Sequence, residues 1–210
     1  MSDDAWRALR VWVGAHTDLA LAAEQWDQLR SYLDTLFTWN RKVALVSQND
    51  ERQIITKHFA DSLFAASRCV DGDAIVDLGS GAGFPALPIA IARPAARVCL
   101  IESRGKKASF LEEARRAASI RNALVCHERI EAVAESLEHR SRYSVAIARA
   151  LTNLEEFLRL ARPLLGAGGR AMAMRSVRED LTHMPSGSEI VDYNLPNGTP
   201  RRLLISKFAT

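Results

Sequence analysis

A chain of 210 residues, 48% of them apolar and with a formal charge of +3, is long enough for one well-buried core and too weakly basic for a protein that coats DNA. Its three cysteines, Cys69, Cys99 and Cys126, are odd in number and widely spaced with no C-x-x-C pair, which indicates neither a disulfide framework nor a zinc site and points to a reducing compartment. No apolar stretch approaches the ~20 residues that cross a bilayer, and the acidic start MSDDAW lacks the basic region of a signal peptide, so a soluble, cytoplasmic protein without membrane or metal partners is expected.

The chain opens in a helical regime. Trp6 and Trp12 mark a short, isolated N-terminal helix whose aromatic role is open. Trp26, Leu29, Leu33, Leu36 and Phe37 recur at three- and four-residue spacing, as do Ile54, Ile55, His58, Phe59, Leu63 and Phe64. Trp26, Trp39 and Phe59 read as core rather than as platforms for bases. His58, Asp61 and Ser62 share a helical face, but a hydrolase also needs a nucleophile elbow and no G-x-S-x-G occurs. The pattern changes near Val70-Asp71-Gly72-Asp73, dividing an N-terminal helical cap, residues 1–70, from a second region, residues 71–210, the two expected to form one compact unit.

Beyond that point short apolar runs alternate with helical stretches. Ala74 to Leu78, Val98 to Ile101, Ala123 to Cys126, Tyr143 to Ala148 and Arg170 to Met174 read as strands, with helices between them that include Lys106 to Ala118 and Leu154 to Leu164. Such alternation predicts an α/β fold, a mostly parallel sheet with helices on both faces and a ligand beyond the C-terminal strand ends. Glu189 to Asn194 and Arg201 to Phe208, joined by LPNGTP, read as a terminal antiparallel pair that brings the sheet to seven strands. Cys99 and Cys126 fall in strand-like runs and read as small buried hydrophobes.

The first strand ends in Asp77 and opens into Gly79, Gly81 and Gly83, which remove Cβ where the chain must turn sharply and let a ligand lie against it. The dinucleotide fingerprint places its third glycine three residues after the second; here it comes two after, and Phe84 stands in the expected place. Asp77 is awkward beside a pyrophosphate and tolerable beside a sulfonium cation, so S-adenosylmethionine fits better than NAD(P). Glu102, with Ser103 beside it, follows the glycines at about the 20-residue distance at which such folds set a carboxylate against ribose hydroxyls. The glycines alone could also form a turn that binds nothing; Glu102 argues against that.

The order Trp39-Asn40, HFADSL (His58 to Leu63), VDLGSGAGFP, IES-x-x-KK-x-x-FL (Ile101 to Leu111), RIE (Arg129 to Glu131), ARA (Ala148 to Ala150) and LLGAGG (Leu164 to Gly169) resembles the bacterial RsmG/GidB methyltransferases from about Trp26 to Lys207. The resemblance implies a Rossmann-like class I fold, S-adenosylmethionine as donor and methylation of guanine N7 in 16S ribosomal RNA, alone or in the small ribosomal subunit. It carries cofactor contacts to Gly79, Phe84, Ile130, Glu131 and Arg149. Arg149 ends the fourth strand at the mouth of the site, either as an anchor for the methionine carboxylate or an RNA phosphate, or as a structural ion pair. Ala44, Ala86 and Arg175-Ser176 depart from the family's pattern.

Guanine N7 carries an in-plane lone pair and no proton, so positioning suffices and no general base is needed. No N/D-P-P-Y motif follows the fourth strand, and no Pro-Cys pair marks a cytosine-C5 enzyme. His58, Asp61 and Arg149 are expected to shape the site. Candidate phosphate contacts are Lys106, Lys107, Arg129, Arg175, Arg201 and Arg202, although any one of them alone reads as a solvated charge. A monomer with an RNA and not a DNA partner is expected. The alternatives are a diverged paralogue acting on another RNA, an RNA- or ribosome-binding module without turnover, and an NAD(P) oxidoreductase.

Overall fold

The computed structural model describes residues 3–149, 153–179 and 184–208. Ala150 of the ARA motif lies outside them. Seven strands run in the order β3-β2-β1-β4-β5-β7-β6: β1 (Ala74–Leu78), β2 (Arg97–Ile101), β3 (Ala123–Cys126), β4 (Tyr143–Arg149), β5 (Leu165–Ser176), β6 (Glu189–Asn194) and β7 (Pro200–Lys207). The first five are parallel; β7 runs antiparallel between β5 and β6.

Period-two alternation sorts the sheet into two apolar faces. Ile75, Val98, Val145, Met172 and Leu203 face one cluster, built with α1 (Asp3–His16), α2 (Ala23–Asn40), α3 (Gln48–Ile54), α4 (Ala60–Ser67), α5 (Ala86–Ala92) and α6 (Gly105–Ala117). Val76, Cys99, Ala146, Ala171 and Leu204 face the other, with α7 (Ile130–Glu135) and α8 (Leu154–Ala161). Alanines at 146, 148, 171 and 173 keep that second face shallow, so α8 packs Leu154, Phe157 and Leu158 close to it.

The N-terminal helix is not isolated. Trp6 and Trp12 are buried, Trp6 meets Trp26 edge-on at 6.4 Å and Phe59 at 5.4 Å, and the Trp12 indole donates to the carbonyl of Asn194 at the end of β6. Two other elements differ from their sequence reading. The Leu154 to Leu164 helix gives way after Ala161 to a 3-10 turn, Arg162–Leu164, because Pro163 supplies no amide donor. β5 begins at Leu165 rather than Arg170, entering through LLGAGG with a register shift opposite Tyr143. A side chain at Gly169 would sit 2.9 Å from the Gly166 carbonyl oxygen, so the tight entry excludes one.

Local capping fixes the site-bearing loops. The Asn40 amide accepts from Leu45 and Val46 N–H and donates to the Val46 carbonyl, closing the loop after α2, while Ala44 itself is exposed. Ser47 caps α3 by accepting from Asp50 N–H. Between α3 and α4 the helix widens to a π-helical turn, Ile55–Phe59, in which Ala60 N–H donates to the Ile55 carbonyl five residues back. Such a bulge rotates the side chains around it, and here it carries His58. Ala86 is wholly buried at the start of α5.

Candidate active site

At the C-terminal strand ends, Gly79, Gly81, Glu102, Ser103, Ile130 and Arg149 line a cleft of about 340 Å³, together with Arg104 and Lys107. Gly79 and Gly81 take left-handed conformations, φ 77° and 55°. Gly79 and Ser80 N–H both donate to the Ile101 carbonyl, locking the loop onto the end of β2. Glu102 then completes the turn, one oxygen accepting from Gly81 N–H at 2.9 Å and the other from Arg104 N–H at 2.8 Å. A carboxylate offers about four lone-pair sites, so Glu102 keeps acceptor capacity for hydroxyl donors.

Asp77 lies at the end of β1 just before the loop, 1% exposed and not among the residues that line the cleft, and its Oδ2 has no hydrogen-bond partner. Burial pushes its carboxyl up to about 7; the Ser80 hydroxyl and the Arg149 charge oppose the rise and Glu102 adds to it. A buried acceptor without a donor fits the ammonium of an amino-acid moiety, and Glu102 fits a ribose diol. S-adenosylmethionine presents both groups.

Arg149 is held from behind by residues of the helical layer. Its Nη2 donates to His58 Nδ1, its Nη1 lies 3.8 Å from Asp61 Oδ2, and its guanidinium stands 5.5 Å over the Phe84 ring. His58 Nε2 in turn lies 3.2 Å from Asp50 Oδ1. Burial and the Arg149 charge drive the imidazole down to about 4 against the pull of Asp50, so His58 is neutral at pH 7 with Nδ1 as acceptor. Although partial burial works the other way, hydrogen bonds from Lys57 and Ser47, with the imidazole of His58 close by, hold the Asp50 carboxyl well below its usual range. Ser62 Oγ is spent on the His58 carbonyl.

Several residues stand elsewhere than their sequence reading placed them. Gly83 (φ 89°) faces away from the cleft: a Cβ there would lie 2.7 Å from Leu87 Cδ1 and 3.0 Å from the Tyr32 hydroxyl. The Phe84 ring is buried among Tyr32, His58 and Phe59, supporting Arg149 rather than lining the cleft. Glu131 is exposed on the first turn of α7, outside the cleft lining, whereas Ile130 belongs to it.

The expected RNA contacts divide. Lys106 and Arg129 are exposed near the cleft, and Lys107 reaches over the glycine loop, its Nζ 4.0 Å from where a Gly81 Cβ would lie. Arg201, Arg202 and Arg175 instead are committed to carboxylates of the chain itself. Arg201 binds the buried Asp61 through Nε at 3.1 Å and Nη2 at 3.0 Å. Arg202 forks onto Asp192, its cross-strand neighbour, at 2.6 and 2.7 Å. Arg175 is 6% exposed and lies 3.3 Å from Glu179. All three guanidiniums have a carboxylate partner within the fold.

Sequence reasoning missed Asp50, Tyr32 and Tyr193. Tyr193 donates to Asp61, and Tyr32 donates to the Ala82 carbonyl inside the glycine loop. Neither shows a local signal, because its partner is 132 or 50 residues away. Arg104 could have been found, being two residues past Glu102 in the same turn.

Comparison with known proteins shows the family and the fold. The family model described as rRNA small subunit methyltransferase G (GidB) matches residues 25–189. A ribosomal RNA small subunit methyltransferase G from Chloroflexus aggregans is 36% identical over 198 residues, covering 89% of this chain and 83% of the relative. One from Xanthomonas campestris pv. campestris is 39% identical over 166 residues, covering 78% and 76%. Among solved structures, a cofactor-bound protein from MTB superposes with a TM-score of 0.63 at 15% identity, covering 88% of this chain and 91% of the other. A methyltransferase from Geobacter sulfurreducens gives 0.58 at 13%, covering 85% and 88%; at such identities the likeness is one of fold.

Proposed function

The chain belongs to the rRNA small subunit methyltransferase G family, and from that premise we propose that it methylates N7 of a guanine in 16S ribosomal RNA with S-adenosylmethionine as donor. The observation that carries the cofactor reading is the pair of carboxylates around the glycine loop: buried Asp77 with an unpartnered oxygen, and Glu102 with lone pairs to spare.

The cofactor, when bound, supplies an electrophilic methyl group on a sulfonium. Asp77 would hold its ammonium and Glu102 its ribose hydroxyls, while Gly79 and Gly81 would let the backbone approach and Ile130 would pack against the adenine. Ser103 and Lys107 close the open side. Arg149 directs its charge into the cleft toward a carboxylate or an RNA phosphate, and the His58–Asp61 pair sets its orientation.

The target base asks only for orientation. N7 exposes an in-plane lone pair on the guanine edge and releases no proton, so no residue has to act as a base. His58 is unsuited to that task, since both ring nitrogens face partners, Arg149 and Asp50. Exposed Arg104 on the cleft lining, with Lys106 and Arg129 beside it, offers cations for RNA phosphates. Among the described residues no helix is long and apolar enough to cross a membrane. We further infer a cytoplasmic monomer whose residues 1–70 and 71–210 fold as one unit.

The test is methyl transfer. Labelled S-adenosylmethionine should deliver its methyl to undermethylated 16S rRNA, and NAD(P)H should neither bind nor change its absorbance. Binding without transfer would favour a ribosome-binding module instead.

A further inference from the structure

A second groove opens at the opposite end of the sheet from the cofactor cleft. It has a volume of about 780 Å³ and is walled by Arg97, Arg115, Arg121 and Arg142, with Leu124 and Tyr143 among its apolar and aromatic surfaces. Arg97, Ala123 and Tyr143 are the first residues of β2, β3 and β4, so the groove lies at the N-terminal strand ends. It exists because α7 spans only six residues, about 9 Å of helix. That is too short to cover the β2–β3 part of its face, and Leu124 is left 63% exposed beside Cys99.

The charges of this groove are of one sign. No carboxylate lines it among the described residues. Arg115 is held by Glu112 at 2.9 Å, but the guanidiniums of Arg97, Arg121 and Arg142 are exposed and make no ion pair among the described residues. This inverts the pattern on β5 and β7, where Arg175, Arg201 and Arg202 all meet carboxylates of the chain. Cations without internal partners around an apolar floor match a phosphate backbone whose bases have an apolar surface to rest on.

We propose that this groove is a second RNA-binding surface, in which Arg97, Arg121 and Arg142 hold phosphates of a single-stranded segment of the substrate RNA and Leu124 and Tyr143 receive its bases. The proposal rests on the chain's being an rRNA methyltransferase. β2 separates groove and cleft by roughly 17 Å at ~3.3 Å per residue, so the groove engages RNA outside the reacting nucleotide and contributes affinity rather than chemistry.

The experiment compares the parent protein with the triple variant Arg97→Gln/Arg121→Gln/Arg142→Gln, the matching triple Lys variant, and Leu124→Glu. The readouts are anisotropy with undermethylated 16S rRNA, calorimetry with S-adenosylmethionine, and methyl transfer. The Gln triple should bind RNA at least about tenfold more weakly at 0.15 M salt, with the salt slope reduced by about 2. Cofactor affinity and kcat at saturating RNA should stay within about twofold of the parent, the loss appearing in KM. The Lys triple should recover most of the affinity, and Leu124→Glu, at an exposed position, should weaken RNA binding on its own.

RNA affinity and salt slope unchanged in the Gln triple, or unchanged affinity in Leu124→Glu, would overturn the proposal. So would weakened binding to the assembled small subunit with naked RNA binding intact, which would assign the groove to a ribosomal protein. Failure of the parent itself to methylate RNA would instead strike the functional reading, which separates the two failures.

Discussion

Arg149 at the end of β4 donates to His58 Nδ1 in the π-helical turn, joining residues 91 positions apart in one contact at the mouth of the cleft. The contact makes His58 a holder of the arginine and not a proton acceptor. His58→Gln keeps an acceptor for Arg149 and should retain kcat within about threefold, whereas His58→Ala should lose about tenfold or more. Between pH 6 and 8 the parent's kcat should show no inflection from the imidazole, which loses its proton near 4. Equal loss in both variants, with an inflection near 6.5 in the parent, would restore a base role to His58.

Asp77 gives cofactor binding a pH dependence of defined sign. Its carboxyl in the folded protein titrates at about 7, and a cationic ligand favours the ionised form. Affinity for S-adenosylmethionine should therefore rise by up to about fivefold from pH 6 to 7. Asp77→Asn should bind more weakly at pH 7 and lose that dependence. Calorimetry across the range, with an unchanged slope in the variant, would remove Asp77 from the ammonium site.

The same groups act oppositely on stability. Asp77, raised above its unfolded value, contributes stability at low pH that is lost as the pH climbs through about 7. His58, depressed to about 4, contributes stability above the unfolded imidazole value of ~6.5 that is lost as the pH falls through 4. The two slopes oppose each other between pH 4 and 6.5. Asp77→Asn should expose the His58 term, its denaturation midpoint rising with pH across that window more steeply than the parent's.

Arg201 should matter for folding rather than for RNA. Its partner Asp61 is 1% exposed, and removing the cation leaves that carboxylate buried beside Arg149 alone and the Tyr193 hydroxyl. Arg201→Ala should cost about 3 kcal/mol by chemical denaturation, with RNA affinity at low denaturant close to the parent's. A stable variant with weakened RNA binding would reverse the assignment.

Trp6 tests whether α1 belongs to the core. The ring is 3% exposed against Trp26 and Phe59, and Phe59 meets Phe84 edge-on beneath Arg149. Trp6→Ala should destabilise by about 3–5 kcal/mol in a single cooperative transition. A cost below about 1 kcal/mol, or two separate transitions, would make the N-terminal helices an appendage.

Local pattern carried much of the architecture. The apolar runs Ala74–Leu78 and Arg97–Ile101, the glycines between them and the carboxylate at Glu102 are legible locally, because a strand, a turn and its acidic partner are near neighbours in the chain. What spacing could not supply was direction. Arg201 reads as an exposed cation until Asp61, 140 residues earlier, is packed against it. Phe84 follows the glycine loop, yet its ring turns toward Tyr32, a residue of α2 that a local pattern cannot bring near. The π-helical turn leaves no periodic mark, since one extra residue in one turn disturbs the helical pattern no more than ordinary variation does.

The most direct test of the whole account is to incubate the protein with methyl-labelled S-adenosylmethionine and undermethylated small-subunit RNA, then locate the label by nuclease digestion and mass spectrometry. Label recovered as 7-methylguanosine at one position is the expected result. Label on another base or another atom, or none in a preparation whose cofactor binding is intact by calorimetry, would contradict it.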